Sequence, residues 1–389
     1  MNSNNFFAER YLKEFEYEAR VCECCGSIDM EELWAYDYNT PTQTGVYKFA
    51  VRNVICRACG FVFVSPAPNE CSLVPYYADS FCYWDGQILD YDIEKRIEFI
   101  RTQLNGTEFF LEVGSNQKGR FHDELKKIFA KVITAELNQS VESDYRSLDD
   151  MPHKVDMVAH YFVLEHIPHV GNFLEKCHKV LKEDGVMICE VPDLSLYPND
   201  ISGLLLFEHM NHFSIETLSR IASRAGFQLQ AHSIKSCSRG FGFTAAFVKG
   251  LLEKKESVPS TYIENKEYFI KGLSKVEEIK KNLRRCQDRL REYVETNKKV
   301  ILWAANDVLM RFLEDVLPPK NAFVVDSNPA KKSFSDKFPI YHPDEVRKGI
   351  RDSHAIFIFS SLNSSAILAS IKERFGKTFD PDDIIVVEI

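Results

Sequence analysis

The sequence predicts an α/β protein in four parts. These are an N-terminal zinc-binding cysteine module with a leading helix (1–68), a central parallel α/β domain with a Tyr-rich connector (69–250), a helical linker (251–298) and a smaller parallel α/β domain (299–389). Three observations predict it. Two CxxC pairs, each followed by Gly, stand near the start. Strand text alternates with helix-spaced apolar text from about 91 to 250 and again from 299, the mark of parallel α/β sheets. Between these stretches lies a charge-rich run whose apolar residues step by three or four.

The leading segment, residues 1–19, reads as a short charged helix. The cysteine pairs are Cys22-Glu-Cys-Cys25-Gly26 and Cys56-Arg-Ala-Cys59-Gly60. A tetrahedral zinc ion takes four thiolates, and two tight turns deliver two each. Gly after each pair suits a backbone that curls so its amides face the sulfurs. Cys22, Cys25, Cys56 and Cys59 are the expected ligands of a structural zinc, with Cys24 a neighbouring alternative to Cys22. Four thiolates leave no open position for catalysis at the ion. The chain has 11 cysteines, an odd number that suits a reducing compartment better than a disulfide framework. No apolar run follows a basic start at Met1, so the expected location is cytoplasmic.

Composition excludes some functions. Lys+Arg 48 against Asp+Glu 57 gives a net charge of −9, a poor general nucleic-acid binder. No apolar stretch approaches the ~20 residues of a membrane helix.

In the central domain, Phe109–Val113 reads as a buried strand and Gly114–Gly119 as a turn. Phe121, Leu125, Ile128 and Phe129 then recur at helical spacing. Lys131–Ala135 is a second strand, ending at Glu136, and Val155–Val158 opens a third. Phe173, Leu174, Cys177, Val180 and Leu181 mark a helix stopped near Gly185, before the strand Val186–Val191. Ser214 caps a helix that stops at Gly226, and runs near 228–236 and 241–248 form a hairpin. The linker carries Phe269, Leu273, Val276, Ile279, Leu283, Cys286, Leu290 and Tyr293 on one stripe. That stripe suits packing within the chain or a homodimer through the 262–298 helix. Val300–Trp303, Phe323–Asp326, Ala355–Phe359 and Ile384–Val387 supply four strands of a second Rossmann-like unit.

A strand, a glycine turn, a helix and a strand ending in an acidic residue suit a nucleoside ligand. Backbone approaches the ligand at the turn, and the acid accepts from ribose hydroxyls. Gly114 and Gly119 supply the turn, and Glu136 stands 22 residues after Gly114. The turn lacks GxGxxG, which disfavours a dinucleotide.

The run Phe162-Val-Leu-Glu-His-Ile-Pro168, then Val180-Leu-Lys-Glu-Asp-Gly185, then Cys189-Glu-Val-Pro-Asp193 resembles class I S-adenosylmethionine-dependent methyltransferases. With the cysteine module, Phe207-Glu-His-Met-Asn-His-Phe-Ser214 and the second Rossmann-like unit, the layout looks like the sugar C-methyltransferases acting on nucleotide-linked deoxysugars. The resemblance implies S-adenosylmethionine over Gly114, Ser115, Asn116, Gly119 and Glu136, with Glu165 and His166 shaping the cofactor wall. It implies a sugar or sugar-nucleotide acceptor, and C-methylation with His209 as base oriented by Glu208, assisted by Tyr76 or Tyr77. His212 is a nearby rival for the base.

Three features depart from the family pattern. Gln117 stands where the family usually has an acid in the glycine turn, and Leu206 where it has a tyrosine. Only about 18 residues lie between Glu136 and Val155, where the family fits a helix and another strand. A non-catalytic binding or scaffold protein on a degenerate methyltransferase fold, and an O-methyltransferase of glycan or metabolite biosynthesis, are the alternative readings.

Overall fold

A computed structural model describes residues 12–42, 45–80, 90–114, 119–139, 141–250, 260–305, 309, 321–328, 331, 338–359 and 363–387. It divides into two compact units, Met1–Leu273 and Ser274–Ile389.

The first unit opens with two short strands, β1 (Leu12–Glu14) and β2 (Tyr17–Glu18), where a helix was expected. The reason is periodicity: Phe15 and Tyr17 alternate with Glu14, Glu16 and Glu18, a two-residue repeat. A long hairpin follows, β3 (Met30–Thr42) with β4 (Gly45–Cys56). Strands β5 (Val62–Val64) and β6 (Ala67–Pro68) complete the local chain. Helices α1 (Glu70–Ser80) and α2 (Asp90–Thr102) lead into the central sheet.

That sheet contains β7 (Phe109–Val113), β8 (Lys131–Ala135), β9 (Val155–Tyr161), β10 (Leu181–Pro192), β12 (Phe227–Ser233) and β13 (Gly242–Lys249). Strand β11 (Asn211–His212) belongs elsewhere: it pairs with β5 of the cysteine module. The central order is β12-β13-β10-β9-β7-β8, parallel except where β13 joins β10 and β12. Alternate strand residues enter opposite cores. Leu111, Val158 and Met187 pack with Leu174 and Cys177 of α4 (Val170–Val180) and Leu218 and Ile221 of α6 (Ile215–Arg224). Phe110, Met157 and Ile188 pack with Ile97 and Ile100 of α2 and Phe121 and Leu125 of α3 (Arg120–Leu125). A sheet covered on both faces explains why β9 and β10 read as nearly continuous apolar runs.

Two boundaries differ from expectation. Helix α4 ends at Val180, because Leu181 already pairs with Val155. Gly185 lies inside the register break that follows, where a Cβ would meet the Asp156 and Lys182 carbonyls at 3.1 Å. After α3, Ile128 and Phe129 keep helical spacing but form a turn into β8. Between Glu136 and Val155 the described residues hold a single parallel bridge, Ala135 to Tyr145, and one 3-10 turn at Leu148–Asp150.

A four-residue helix, α5 (Ser202–Leu205), precedes β11, and the 34-residue helix α7 (Tyr262–Glu295) follows the hairpin. Its apolar stripe is used inside the chain. Phe269 is buried against Tyr197 and His212 in the first unit. In the second, Leu290 and Tyr293 are core residues, with Leu283 and Cys286 packed against them.

The second unit has a five-stranded, all-parallel sheet. Its strands are β14 (Val300–Trp303), β15 (Ala322–Val325), β16 (Ile340–Tyr341), β17 (Ala355–Ile358) and β18 (Ile384–Val386), ordered β16-β15-β14-β17-β18. The two-residue β16 is too short to leave a sequence signal. On the face away from α7, Ile350 of α8 (Arg347–Arg351) and Ile371 and Phe375 of α9 (Ser364–Phe375) close the core.

Candidate active site and cysteine cluster

The two cysteine turns are built alike. Gly26 N–H donates to the Cys22 carbonyl (2.6 Å) and Gly60 N–H to the Cys56 carbonyl (2.8 Å). Both glycines sit at positive φ, 79° and 85°. At Gly60 a Cβ would also lie 2.5 Å from the backbone of Thr261, so only glycine fits there. The turns bring Cys22, Cys25, Cys56 and Cys59 together, one sulfur of each within 4.8 Å of the others. Sγ separations of 3.4 Å (Cys22–Cys59) and 3.5 Å (Cys25–Cys56) suit a tetrahedral zinc site after small adjustment. Cys24 is buried in the apolar core and lies outside this foursome.

The module is fastened to the central domain through buried polar contacts. Arg20 donates to the carbonyls of Val64 and Met210 and to Oδ1 of Asn211. Asn211 in turn donates through Nδ2 to the carbonyls of Leu164 (3.0 Å) and Ile167 (2.7 Å). Met210 N–H donates to the Glu165 carbonyl at 2.7 Å. The 164–167 turn and the 208–212 segment are thereby held as one piece.

A cavity of about 620 Å³ lies over the C-terminal ends of β8, β7 and β9, within the ~300–1,000 Å³ usual for small-ligand sites. Gly114 and Glu136 line it on the β7 and β8 side. Gly114 has φ 73° and donates to the Ala135 carbonyl, and a Cβ on it would strike Val163 at 2.5 Å. Burial raises the Glu136 carboxyl, opposed by the amides of Asn138 and Leu137. Leu137, Asn138, Val141, Arg146 and Leu148 wall this side, so the short segment after Glu136 encloses the cavity without a further strand. Ser115 and Asn116 lie outside the described residues. Gly119 is the residue before α3 and is not among the cavity's lining residues.

On the other side stand Tyr77, Phe162, Glu165, His166, Leu206, Glu208, His209 and Arg239. Phe162 follows β9 at φ 57°, a costly conformation for a bulky side chain, directly before the turn carrying Glu165 and His166. His209 Nδ1 donates to the Gly203 carbonyl at 2.7 Å, leaving the Nε2 lone pair free of that bond. Burial lowers His209 to about 4, so the ring is neutral at pH 7. His166 is pushed well below its ordinary value by burial, then by His209, with the Glu208 carbonyl opposing. Its Nδ1 is 3.5 Å from the Tyr77 hydroxyl. Glu165 is completely buried, and burial lifts its carboxyl to about 8.

The structure places the remaining candidate residues as follows. The His209 ring donates to the Gly203 carbonyl, and the Glu208 carboxylate accepts from Tyr76. Tyr76 is buried outside the cavity lining, whereas Tyr77 lines it. His212 has both nitrogens engaged, Nδ1 with Tyr197 at 2.6 Å and Nε2 with Asn53 at 2.9 Å. Asn211 and Arg20 were not singled out in the sequence, since lone polar residues carry no periodic or motif signal.

Residues 86–232 match a family of methyltransferase domains. Solved structures with a similar fold include an S-adenosylmethionine-dependent methyltransferase from Clostridium acetobutylicum (9% identity, 41% of this chain and 91% of that chain covered, TM-score 0.33). Another is the 1,6-didemethyltoxoflavin-N1-methyltransferase of Burkholderia thailandensis with 1,6-didemethyltoxoflavin and S-adenosylhomocysteine (15%, 51% and 98%, 0.36). A third is an S-adenosylmethionine-dependent methyltransferase from Mesorhizobium loti (13%, 40% and 99%, 0.31). No curated protein matches the chain. The chain contains a class I methyltransferase domain. Its activity is methyl transfer from S-adenosylmethionine. No described helix is long and apolar enough to cross a membrane.

Proposed function

We propose that this enzyme methylates a sugar or sugar-nucleotide, at carbon, in the cavity above β8, β7 and β9. The observation that carries the reading is the make-up of that single cavity. Gly114 and Glu136 line one side and the Tyr77, Glu165, His166 and His209 cluster the other. S-Adenosylmethionine would lie against Gly114, which lines the cavity at the end of β7, with Glu136 accepting from its ribose. The sugar class comes from the family resemblance of the motifs and the domain order.

Methyl transfer is an in-line displacement at the sulfonium carbon, so the protein aligns donor and acceptor and removes a proton from the acceptor. Among the cavity residues, His209 has the tautomer for that task, because Gly203 holds the proton on Nδ1. Tyr77 and Glu208, the latter held from behind by Tyr76, shape the acceptor end. Zinc on the four cysteines is structural in this reading, bracing the module that Arg20 ties to the 208–212 segment.

Calorimetric titration with S-adenosylhomocysteine tests the cofactor half. Micromolar binding is expected, and none by folded protein would favour the scaffold reading. A panel of sugar-nucleotides tests the acceptor half. His209→Ala should abolish turnover while cofactor-product binding survives, and unchanged turnover removes His209 from the mechanism.

A further inference from the structure

The Glu165 carboxylate stands out among the buried groups of this molecule. It is fully enclosed, and apart from its own backbone amide neither oxygen has a hydrogen-bond partner among the described residues. A buried polar group in proteins is normally hydrogen-bonded or bound to metal. Glu165 Oε1 lies 4.0 Å from Nε2 of His166 and 4.0 Å from Nε2 of His209. Such separations are too long for direct hydrogen bonds but suit three groups that share one small guest. One ligand atom of each residue lies within 4.8 Å of the other two. Atoms spaced this way have a common point about 2.2–2.5 Å from each, a few tenths of an ångström outside the ~2.0–2.2 Å of His and carboxylate bonds to zinc.

We propose that Glu165, His166 and His209 bind a divalent first-row transition-metal cation at the acceptor end of the cavity. Two histidines and one carboxylate suit such ions and leave coordination positions open for a ligand. The surroundings fit the pattern of a metal site. A ligating histidine normally gives its other ring nitrogen to a carbonyl or similar group. His209 Nδ1 does this with the Gly203 carbonyl, and His166 Nδ1 faces the Tyr77 hydroxyl. Asn211 and the Met210 amide hold the two ligand-bearing segments in register. This site is separate from the four-cysteine cluster in ligand chemistry: hard oxygen and imidazole donors here, thiolates there.

The cation would take an acceptor oxygen into an open position and polarise it. That consequence rests on the methyl-transfer reading, but cation binding itself does not. With the cation bound, His209 serves as a ligand in place of base, and the acceptor proton that the ion acidifies passes to solvent water in the cavity.

The test is a cobalt(II) titration of the full chain already loaded with one equivalent of zinc, followed by calorimetry and visible absorption. The expected result is one further equivalent, bound at about micromolar affinity, whose spectrum lacks thiolate-to-cobalt charge transfer. Glu165→Gln and His166→Ala should each weaken that uptake by about tenfold or more, with circular dichroism verifying the fold. No second equivalent, uptake with a thiolate spectrum, or uptake undiminished in both variants would overturn the site. Titration of the same samples with S-adenosylhomocysteine separates the two ideas. Cofactor-product binding without cobalt uptake removes only the cation site, and absence of both removes the methyl-transfer reading as well.

Discussion

Asn211 is the residue on which the geometry of the acceptor end most depends. Substitution by Ala removes three buried hydrogen bonds at once: to the carbonyls of Leu164 and Ile167, and from Arg20 Nη2 at 2.8 Å. The Leu164 carbonyl keeps a second partner, the Ile167 amide, and Arg20 keeps the Val64 and Met210 carbonyls through Nη1. The Ile167 carbonyl loses its side-chain partner inside the protein. A buried group left unpaired costs about 1–3 kcal/mol and a lost bond to a charged group about 1.5–3. The summed loss is therefore about 2.5–6 kcal/mol, a large share of the ~5–15 kcal/mol that holds a protein folded. At about 2–4 °C per kcal/mol, the melting temperature falls by roughly 5–24 °C. Urea and thermal unfolding of Asn211→Ala measure this. Below the melting temperature, the loosened 164–167 turn should lower turnover more than S-adenosylhomocysteine affinity, because Gly114 and Glu136 lie outside the network. Stability within about 1 kcal/mol of wild type would refute the reasoning, since the three bonds would then be replaceable by water or by relaxation.

Three further outcomes follow from the same geometry. Gly114→Ala places a methyl group 2.5 Å from Val163 at φ 73°; S-adenosylhomocysteine affinity should fall at least about tenfold, equal to ~1.4 kcal/mol, as read by calorimetry. Cys56→Ser removes one of four thiolates, so zinc measured by elemental analysis should drop from about one equivalent per chain to a small fraction, with loss of thermal stability. His160 is fully buried, has no hydrogen-bond partner on either nitrogen among the described residues, and is lowered by burial to about 3. Below its unfolded value near 6.5 the unfolded chain binds a proton that the folded chain refuses, so stability falls as pH drops from 6.5 towards 3. His160→Leu should remove about 2–3 kcal/mol of the acid-induced loss between about pH 6.5 and pH 4.5, and an unchanged pH slope in urea unfolding would show that His160 is solvated.

Much of the molecule was legible before folding. The cysteine foursome was readable because CxxC-Gly is a local motif whose spacing states its purpose. Strands β7 to β10 and β14 were readable because burial on both faces leaves mostly apolar text, and α6 because Ser214 and Gly226 bracket an apolar repeat. The Glu14–Glu18 stretch reads as helix because five residues of alternating Phe, Tyr and Glu are too few to outweigh their charge.

By itself, the sequence determined the class of chemistry, the order of the parts and the residues from which the site is drawn. Only the tertiary structure decided which of those residues meet. His209 and His212 are three positions apart in the chain, yet one faces the cavity and the other is locked between Tyr197 and Asn53. Glu165 and His209 are far apart in the chain, yet their side chains lie 4.0 Å apart because β11 leaves the central domain to pair with β5. Motifs and periodicity record what each segment does locally. The partners of a buried polar side chain come from distant segments, and only packing sets the distances between them.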